Sequence, residues 1–397
     1  PFYGKTKALA VYKTALTDAN LRSLTYPSAV ATTFDLNFNT IADDFTFTRG
    51  SEATFVNAQG LIQSTASNDA PRLDYSTGSE AFLLEPQSTN LILQSNQFDT
   101  TWISVGVTLN SNQTGVGGST DAWEVTSTSG ADYLRHNSNN WVGDTTFSVY
   151  AKAGTLNSIL MTGFGNTFFN LETGVVGTSA ADSAKIESMG NGWYRCSIVG
   201  NTSPSQVRVY PSDLENSSAV GSIYIQYSQL EQNSYPTSYI PTQGAISTRN
   251  QELCNNATPV INSEEGTLYF EISALADDLT YRSISISNNT AQNQLLMEYE
   301  GVTNKFRVYL AVSNNIDGLI SVTINTTQNN KIAYKYAENN LALWINGVEV
   351  GSFTGTKAMM AANTMTNLSF TRGNNTQPFY GNTKGLKYYP KALADVQ

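Results

Sequence analysis

Charge is scarce in this chain. Only 14% of its 397 residues are charged, and 32 acids against 22 bases leave a formal net charge of −10. No run of Lys or Arg appears anywhere. Nucleic acid is thereby excluded as a partner, because phosphate binding needs clustered cations. No stretch reaches the roughly 18 apolar residues of a membrane span, so no membrane insertion is expected. No basic-then-apolar leader opens the chain, and its first residue is not Met, which reads as a segment of a longer gene product. The single histidine, His136, rules out multi-His metal centres and most Ser-His-Asp sites. The two cysteines, Cys196 and Cys254, show no metal-site spacing. In "GWYRCSIVG", Cys196 shares a strand face with Tyr194 and Ile198, so it is expected to be a buried free thiol that packs as a small apolar group. Amphipathic helical patterns are missing except for short pieces near 17–24 and 392–397.

What fills the chain instead is Asn, Ser, Thr, Gln and Gly between short apolar runs. Segments such as "TTFSVYAKAG", "WYRCSIVG", "SIYIQYSQLE", "TLYFEISAL" and "KFRVYLAVS" alternate or are wholly apolar over five to eight residues, with turn residues between them. Many short strands at regular spacing indicate sandwiches or barrels. "WINGVEVG" adds a hairpin signal, with Asn346-Gly347 between two alternating strands. The fold class expected is all-β.

The chain also repeats itself. Residues 1–20 align without gaps on residues 378–397, and more than half the positions match, beginning with "PFYG" in both. Such self-similarity constrains architecture. The final copy reads as the last strand of a module, so the first copy reads as the last strand of a preceding one. Strand donation to a neighbouring subunit is the other reading of the opening segment.

"FTFTRGSEATFVNAQGLIQSTASNDAPRLDY", "FLLEPQSTNLILQSNQFDTTW", "FSVYAKAG", "NGWYRCS" and "YPTSYIPTQGAISTRN" together resemble a module of bacteriophage virion proteins. It is the carbohydrate-binding-module-like β-sandwich of tail fibres and other appendages. "NKIAYKYAENNLALWINGVEVGSF" with "GNTKGLKYYPKALADVQ" resembles a concanavalin A-like or laminin G-like lectin domain. The resemblance implies tandem jelly-roll β-sandwiches. Residues 1–30 would be the end of a preceding lectin-like module plus linker, 31–252 the binding-module-like sandwich, and 253–397 the lectin-like sandwich. It further implies a structural virion protein on the particle surface, bound to other virion proteins and gripping bacterial surface polysaccharide. Self-association, as a trimer, is expected from the same likeness. It is also expected because weakly charged faces rich in Tyr pack on copies of themselves at little desolvation cost. A depolymerase and a bacterial surface adhesin are the alternatives.

Catalysis has little to stand on. Concanavalin-like hydrolases carry Glu-x-Asp-x-x-Glu, and the nearest string is "MEYEGVTNK". Glu298 and Glu300 share a strand face, but Thr303 occupies the third acidic position. A solvated outer face is the expectation there, and no enzyme is expected. "GVGGST" at 115–120 lacks a phosphate-loop Lys and reads as a turn. No cofactor is implied, although Asp43-Asp44 and Asp277-Asp278 are candidate ligands for a structural Ca²⁺.

Saccharide binding is the functional expectation. Sugar sites combine aromatic faces with amides and carboxylates. Trp193 and Trp344 are expected in cores, and Trp102 as a strand-start anchor. The candidate contacts are Trp123, Tyr133, Arg135, His136 and Trp141, four of them in the polar segment "DYLRHNSNNW".

Overall fold

A computed structural model of the chain describes residues 32–34, 41–138, 143–202, 204–355 and 359–394, and Ala15 alone. The N-terminal copy of the repeat apart from Ala15, the linker at the end of 1–30, and Trp141 lie outside the described residues.

Alternation builds the first sandwich. In Trp193–Gly200, Cys196 and Ile198 are fully buried with Phe147, Val149, Val207, Val209 and Ile225, and Tyr194 packs against them. One six-stranded sheet runs, in spatial order, Ser183–Gly190, Trp193–Gly200, Thr145–Ala153, Gly221–Glu231, Ala122–Ser127 and Val107–Gln113. The facing six-stranded sheet runs Val175–Ser179, Thr167–Asn170, Ser158–Thr162, Gln206–Ser212, Tyr133–Asn137 and Ile103–Val105. The paired strands of both sheets are antiparallel. Each fully buried Phe or Ile between them contributes about 1.5–3 kcal/mol.

The second sandwich draws on both ends of the chain. Its eight-stranded sheet runs Val348–Phe353, Leu341–Ile345, Asn330–Tyr336, Gly266–Ala274, Gly381–Tyr389, Ala81–Leu84 and Leu73–Asp74, with Thr32–Phe34 also paired to Gly381–Tyr389. Its five-stranded sheet runs Asn315–Thr323, Lys305–Val312, Gln294–Tyr299, Arg282–Ser287 and Asn367–Ser369. Ile41, Phe45, Phe47, Phe82 and Leu84 share one core with Phe270, Ile286, Tyr334 and Leu386.

The chain is all-β, with two jelly-roll-type sandwiches, but they do not divide at 252/253. The segment 32–85, expected in the first sandwich, completes the second. Residues 88–249 form an insertion whose outgoing strand Ser88–Asn90 pairs with its returning strand Ser247–Arg249. The reason is hydrogen bonding. The strand Gly381–Tyr389 has an open edge that Ala81–Leu84 and Thr32–Phe34 close.

Local expectations fare variously. Asn346 (φ 52°) and Gly347 (φ 83°) form the turn between Leu341–Ile345 and Val348–Phe353. Both cysteines are free and buried, and burial pushes both thiols up from their ordinary range. Trp102 is buried immediately before the strand Ile103–Val105. Trp193 is 1% exposed, yet it belongs to a separate cluster with Val116, Ala122 and Tyr150 on the outer side of its sheet. Trp344 is not in the core. Leu341, Leu343 and Ile345 take the inward positions, which leaves Trp344 half-buried, its ring 4.9 Å from the Lys335 ammonium. Residues 392–394 are irregular, and the piece at 17–24 lies outside the described residues.

Candidate functional site

The sequence motifs that carried the resemblance converge on the neck of the insertion. Arg49, Arg72, Glu85, Arg249 and Glu252 lie on both sides of it, and their side chains are at most 4% exposed. Glu252 Oε1 accepts from Arg49 Nη1 at 2.9 Å and from Arg72 Nε at 2.9 Å, while its Oε2 accepts from Arg72 Nη2 at 2.5 Å. Glu85 Oε2 takes Arg72 at 2.8 Å and Arg249 at 2.9 Å. Burial pushes the Glu85 carboxyl up, but Arg249, Arg72 and the Ser238 hydrogen bonds outweigh it and bring it down to about 2. Three guanidiniums shared by two carboxylates leave little freedom of angle. The network therefore holds the insertion against its host sandwich.

That fixing shapes a groove. Arg72 Nη1 donates to the Thr54 carbonyl at 2.7 Å, and Thr54 Oγ1 donates to the Tyr239 carbonyl at 2.5 Å. Thr54 begins a small hairpin, Thr54–Val56 with Ile62–Ser64, that forms one wall. Loops of the insertion form the other. The open groove offers about 870 Å³, within the range of small-molecule sites. Its lining carries six amides (Gln63, Gln94, Asn96, Gln97, Asn112, Gln243), the carboxylates Asp99 and Asp121, and the rings of Trp123, Tyr227 and Tyr239. No Lys, Arg or His lines it.

Tyr227 is aimed by the backbone. It has φ 49°, an outlier for an aromatic residue. The register against Thr145–Ala153 slips between Ser148 and Tyr150 at this point, and such bulges re-aim side chains. Its ring stacks on Tyr239 with centroids 4.4 Å apart. Its N–H donates to Asn96 Oδ1 at 3.2 Å, and its hydroxyl lies 3.3 Å from Asp121 Oδ2. Burial, then Asp121, pushes its phenol up to about 12, so it stays a neutral donor. Asp121 also accepts from Gln226 Nε2 at 2.6 Å and Asn96 Nδ2 at 2.9 Å. The groove floor is thus braced, while Gln97, Asp99 and Gln243 are exposed at its rim. Such a surface can hydrogen-bond hydroxyls in both directions.

The sequence candidates separate. Trp123 is 6% exposed, packs edge-on to Phe98, and reaches the groove; its Nε1 donates to the Asn96 carbonyl at 3.0 Å. His136 points into the sandwich, 4% exposed and 5.2 Å from the Trp102 ring, and burial lowers its pKa. Tyr133 and Arg135 alternate with it and face outward from the other sheet. Sequence reasoning missed Tyr227, Tyr239, Asn96 and Asp121. They come from four separate segments, and a bulge leaves no residue signature.

Four of the other carboxylate candidates, Glu298, Glu300, Asp277 and Asp278, are engaged. Glu298 is not solvated but 1% exposed; it accepts from Arg307 Nε at 2.6 Å and Ser283 Oγ at 2.8 Å. Arg307 also reaches Glu300 at 3.7 Å. Asp277 accepts the Asn304 N–H at 2.8 Å, and Asp278 is ion-paired with Arg282. Among the described residues no group of three or more His, Cys, Asp or Glu is arranged for a metal ion. None of their helices is long and apolar enough to cross a membrane. A smaller cavity of about 500 Å³, where Tyr150 and Arg195 face Ala274–Asp277, lies between the two sandwiches. It lacks the groove's density of amides.

No family model matches the chain, and no curated protein matches it. Solved structures do. The CBM40 of Ruminococcus gnavus IT-sialidase, solved with α2,3-sialyllactose, is 15% identical over 34% of this chain and 79% of its own, with a TM-score of 0.29. A putative carbohydrate binding protein from Bacteroides ovatus is 9% identical over 78% of this chain and 83% of its own, with a TM-score of 0.29. Domains LG4-5 of the mouse laminin α1 chain are 10% identical over 76% and 93%, with a TM-score of 0.24. The neighbours are carbohydrate-binding or lectin-like β-sandwiches, similar to this chain at values too low to bear on its ligand.

Proposed function

We propose that this is a carbohydrate-binding protein whose groove at the insertion holds an uncharged saccharide. The observation that carries the reading is the lining: amides, hydroxyls, two carboxylates and three aromatic rings, with no cation, around about 870 Å³. A ligand rich in hydroxyls matches that donor and acceptor set, and an anionic one does not. The hydrogen bonds that hold the Asp121 carboxylate to Gln226, Asn96 and Tyr227 favour binding over hydrolysis, which needs two free carboxyl groups. The test is a glycan array on the protein and on a Gln97→Ala/Asp99→Ala/Gln243→Ala variant. Those side chains are exposed, so folding is spared. Binding of neutral glycans should fall about tenfold or more at an unchanged melting temperature; wild-type binding by the variant would overturn the groove. New reducing ends on a bound polysaccharide would favour the depolymerase.

The likeness of residues 33–253 to phage virion modules supports a finer proposal: a surface appendage of a bacteriophage particle, assembled as a trimer with other virion proteins, that grips host polysaccharide. Mass spectrometry of purified particles tests the location. Light scattering on the full chain tests the assembly, a mass of one chain at high micromolar concentration counting against the trimer.

A further inference from the structure

We propose a second saccharide site, on the outer face of the sheet that contains Tyr133–Asn137 and Gln206–Ser212, selective for sugars bearing a carboxylate or sulfate. Composition points there first. The six strands of this sheet contain no Asp, Glu or Lys, in a chain where acids outnumber bases 32 to 22. Their fixed charges are Arg135 and Arg208 alone. Alternation buries Leu134, His136, Val207 and Val209 and turns Tyr133, Arg135, Gln206, Arg208 and Tyr210 outward.

Register then pairs the cations. Arg135 stands directly opposite Arg208, an arrangement that costs free energy between like charges. Among the described residues neither forms a salt bridge; Arg135 Nη1 donates to Gln206 Oε1 at 2.8 Å, and Arg208 Nη1 to the Tyr210 hydroxyl at 3.0 Å. Among the described residues most of their N–H groups have no partner. Two acids near them in sequence, Asp132 and Glu215, are committed elsewhere. Asp132, just before Tyr133, accepts from Thr128 and Ser129 N–H at 2.8 Å each, and Glu215 binds Thr178 Oγ1 at 2.8 Å.

Aromatic rings complete the face. Tyr133 and Tyr210 lie 4.8 Å apart at 42°, and the Arg208 guanidinium carbon sits 4.9 Å from the Tyr133 centroid. Stacking holds that guanidinium in place, and its planar fork matches an oxyanion in two-point contact. The rings offer area for the sugar's C–H face. The groove has no cation, and the strands of this sheet carry no acid, the Glu215 carboxylate being held by Thr178 on its far edge strand, so the two sites select different saccharides.

The probes are polygalacturonate, its carboxyl-reduced form, and dextran sulfate, titrated into the full chain by calorimetry. A chain of net charge −10 repels polyanions at long range, so binding reports a local cationic site. We expect polygalacturonate or dextran sulfate to bind, Arg135→Gln and Arg208→Gln each to weaken it about tenfold or more, and added salt to weaken it further. Binding of dextran sulfate alone assigns the oxyanion to a sulfate ester. Equal binding by the variants at unchanged melting temperature, equal binding of the carboxyl-reduced polymer and polygalacturonate, or no binding of either charged polymer would overturn the site. The Gln97/Asp99/Gln243 variant should bind the charged polymers as wild type does, which separates this site from the groove.

Discussion

Glu252→Gln should destabilise the protein by about 3–5 kcal/mol, because removing one partner of a buried ion pair leaves the other charges uncompensated. The carboxylate is fully buried and receives two guanidiniums, together with the Glu85 N–H at 2.8 Å. The amide keeps the volume and one acceptor. It presents an N–H₂ where Arg49 or Arg72 needs an oxygen, and each of those guanidiniums has 0% side-chain exposure. Water cannot replace what is lost. The Glu252 partners all lie in the host sandwich, but Arg72 also donates to Ser238 Oγ of the insertion at 2.8 Å. Freeing Arg72 should therefore loosen the insertion, and one cooperative transition should resolve into two in calorimetry. Urea unfolding gives the magnitude. A double variant with Arg49→Met should cost at least about 1 kcal/mol less than the sum of the singles, since the partners couple. A Glu252→Gln protein within about 1 kcal/mol of wild type, melting in one transition, would refute the claim that this network holds the two sandwiches together.

Acid should act on the same network. With the Glu85 carboxyl at about 2 in the folded state against an ordinary 4.5, the folded carboxyl is the stronger acid. Its stabilisation of about 3 kcal/mol is then present above pH 4.5 and lost as pH falls toward 2; an acid titration of stability with no loss over that window in wild type relative to Glu85→Gln would contradict it. Trp193→Ala should cost about 3–5 kcal/mol because the ring is 1% exposed under Val116 and Tyr150, and an unchanged melting temperature would show the outer cluster to be dispensable.

Much of this protein was legible in local pattern. Period-two alternation in "GWYRCSIVG" placed Cys196 and Ile198 on one face, and burial confirms it. Asn346-Gly347 specified its hairpin because only such pairs accept two positive φ values cheaply. The same alternation in "DYLRH" already separated Tyr133 and Arg135 from His136, so the three could not share one surface. Pattern could not say which strands meet. Ala81–Leu84 reads as an apolar run wherever it pairs, and only the open edge of Gly381–Tyr389, some 300 residues away in sequence, draws it into the second sandwich. The groove is of the same kind. Trp123 was visible as an aromatic among polar residues, but Tyr227 needed a bulge, Tyr239 a returning loop, and both needed the ion network at the neck. Side-chain alternation is a property of neighbours along the chain, which sequence determines. Pairing, burial of charge and the closure of loops depend on surfaces brought together from distant segments, and only the tertiary structure decides them.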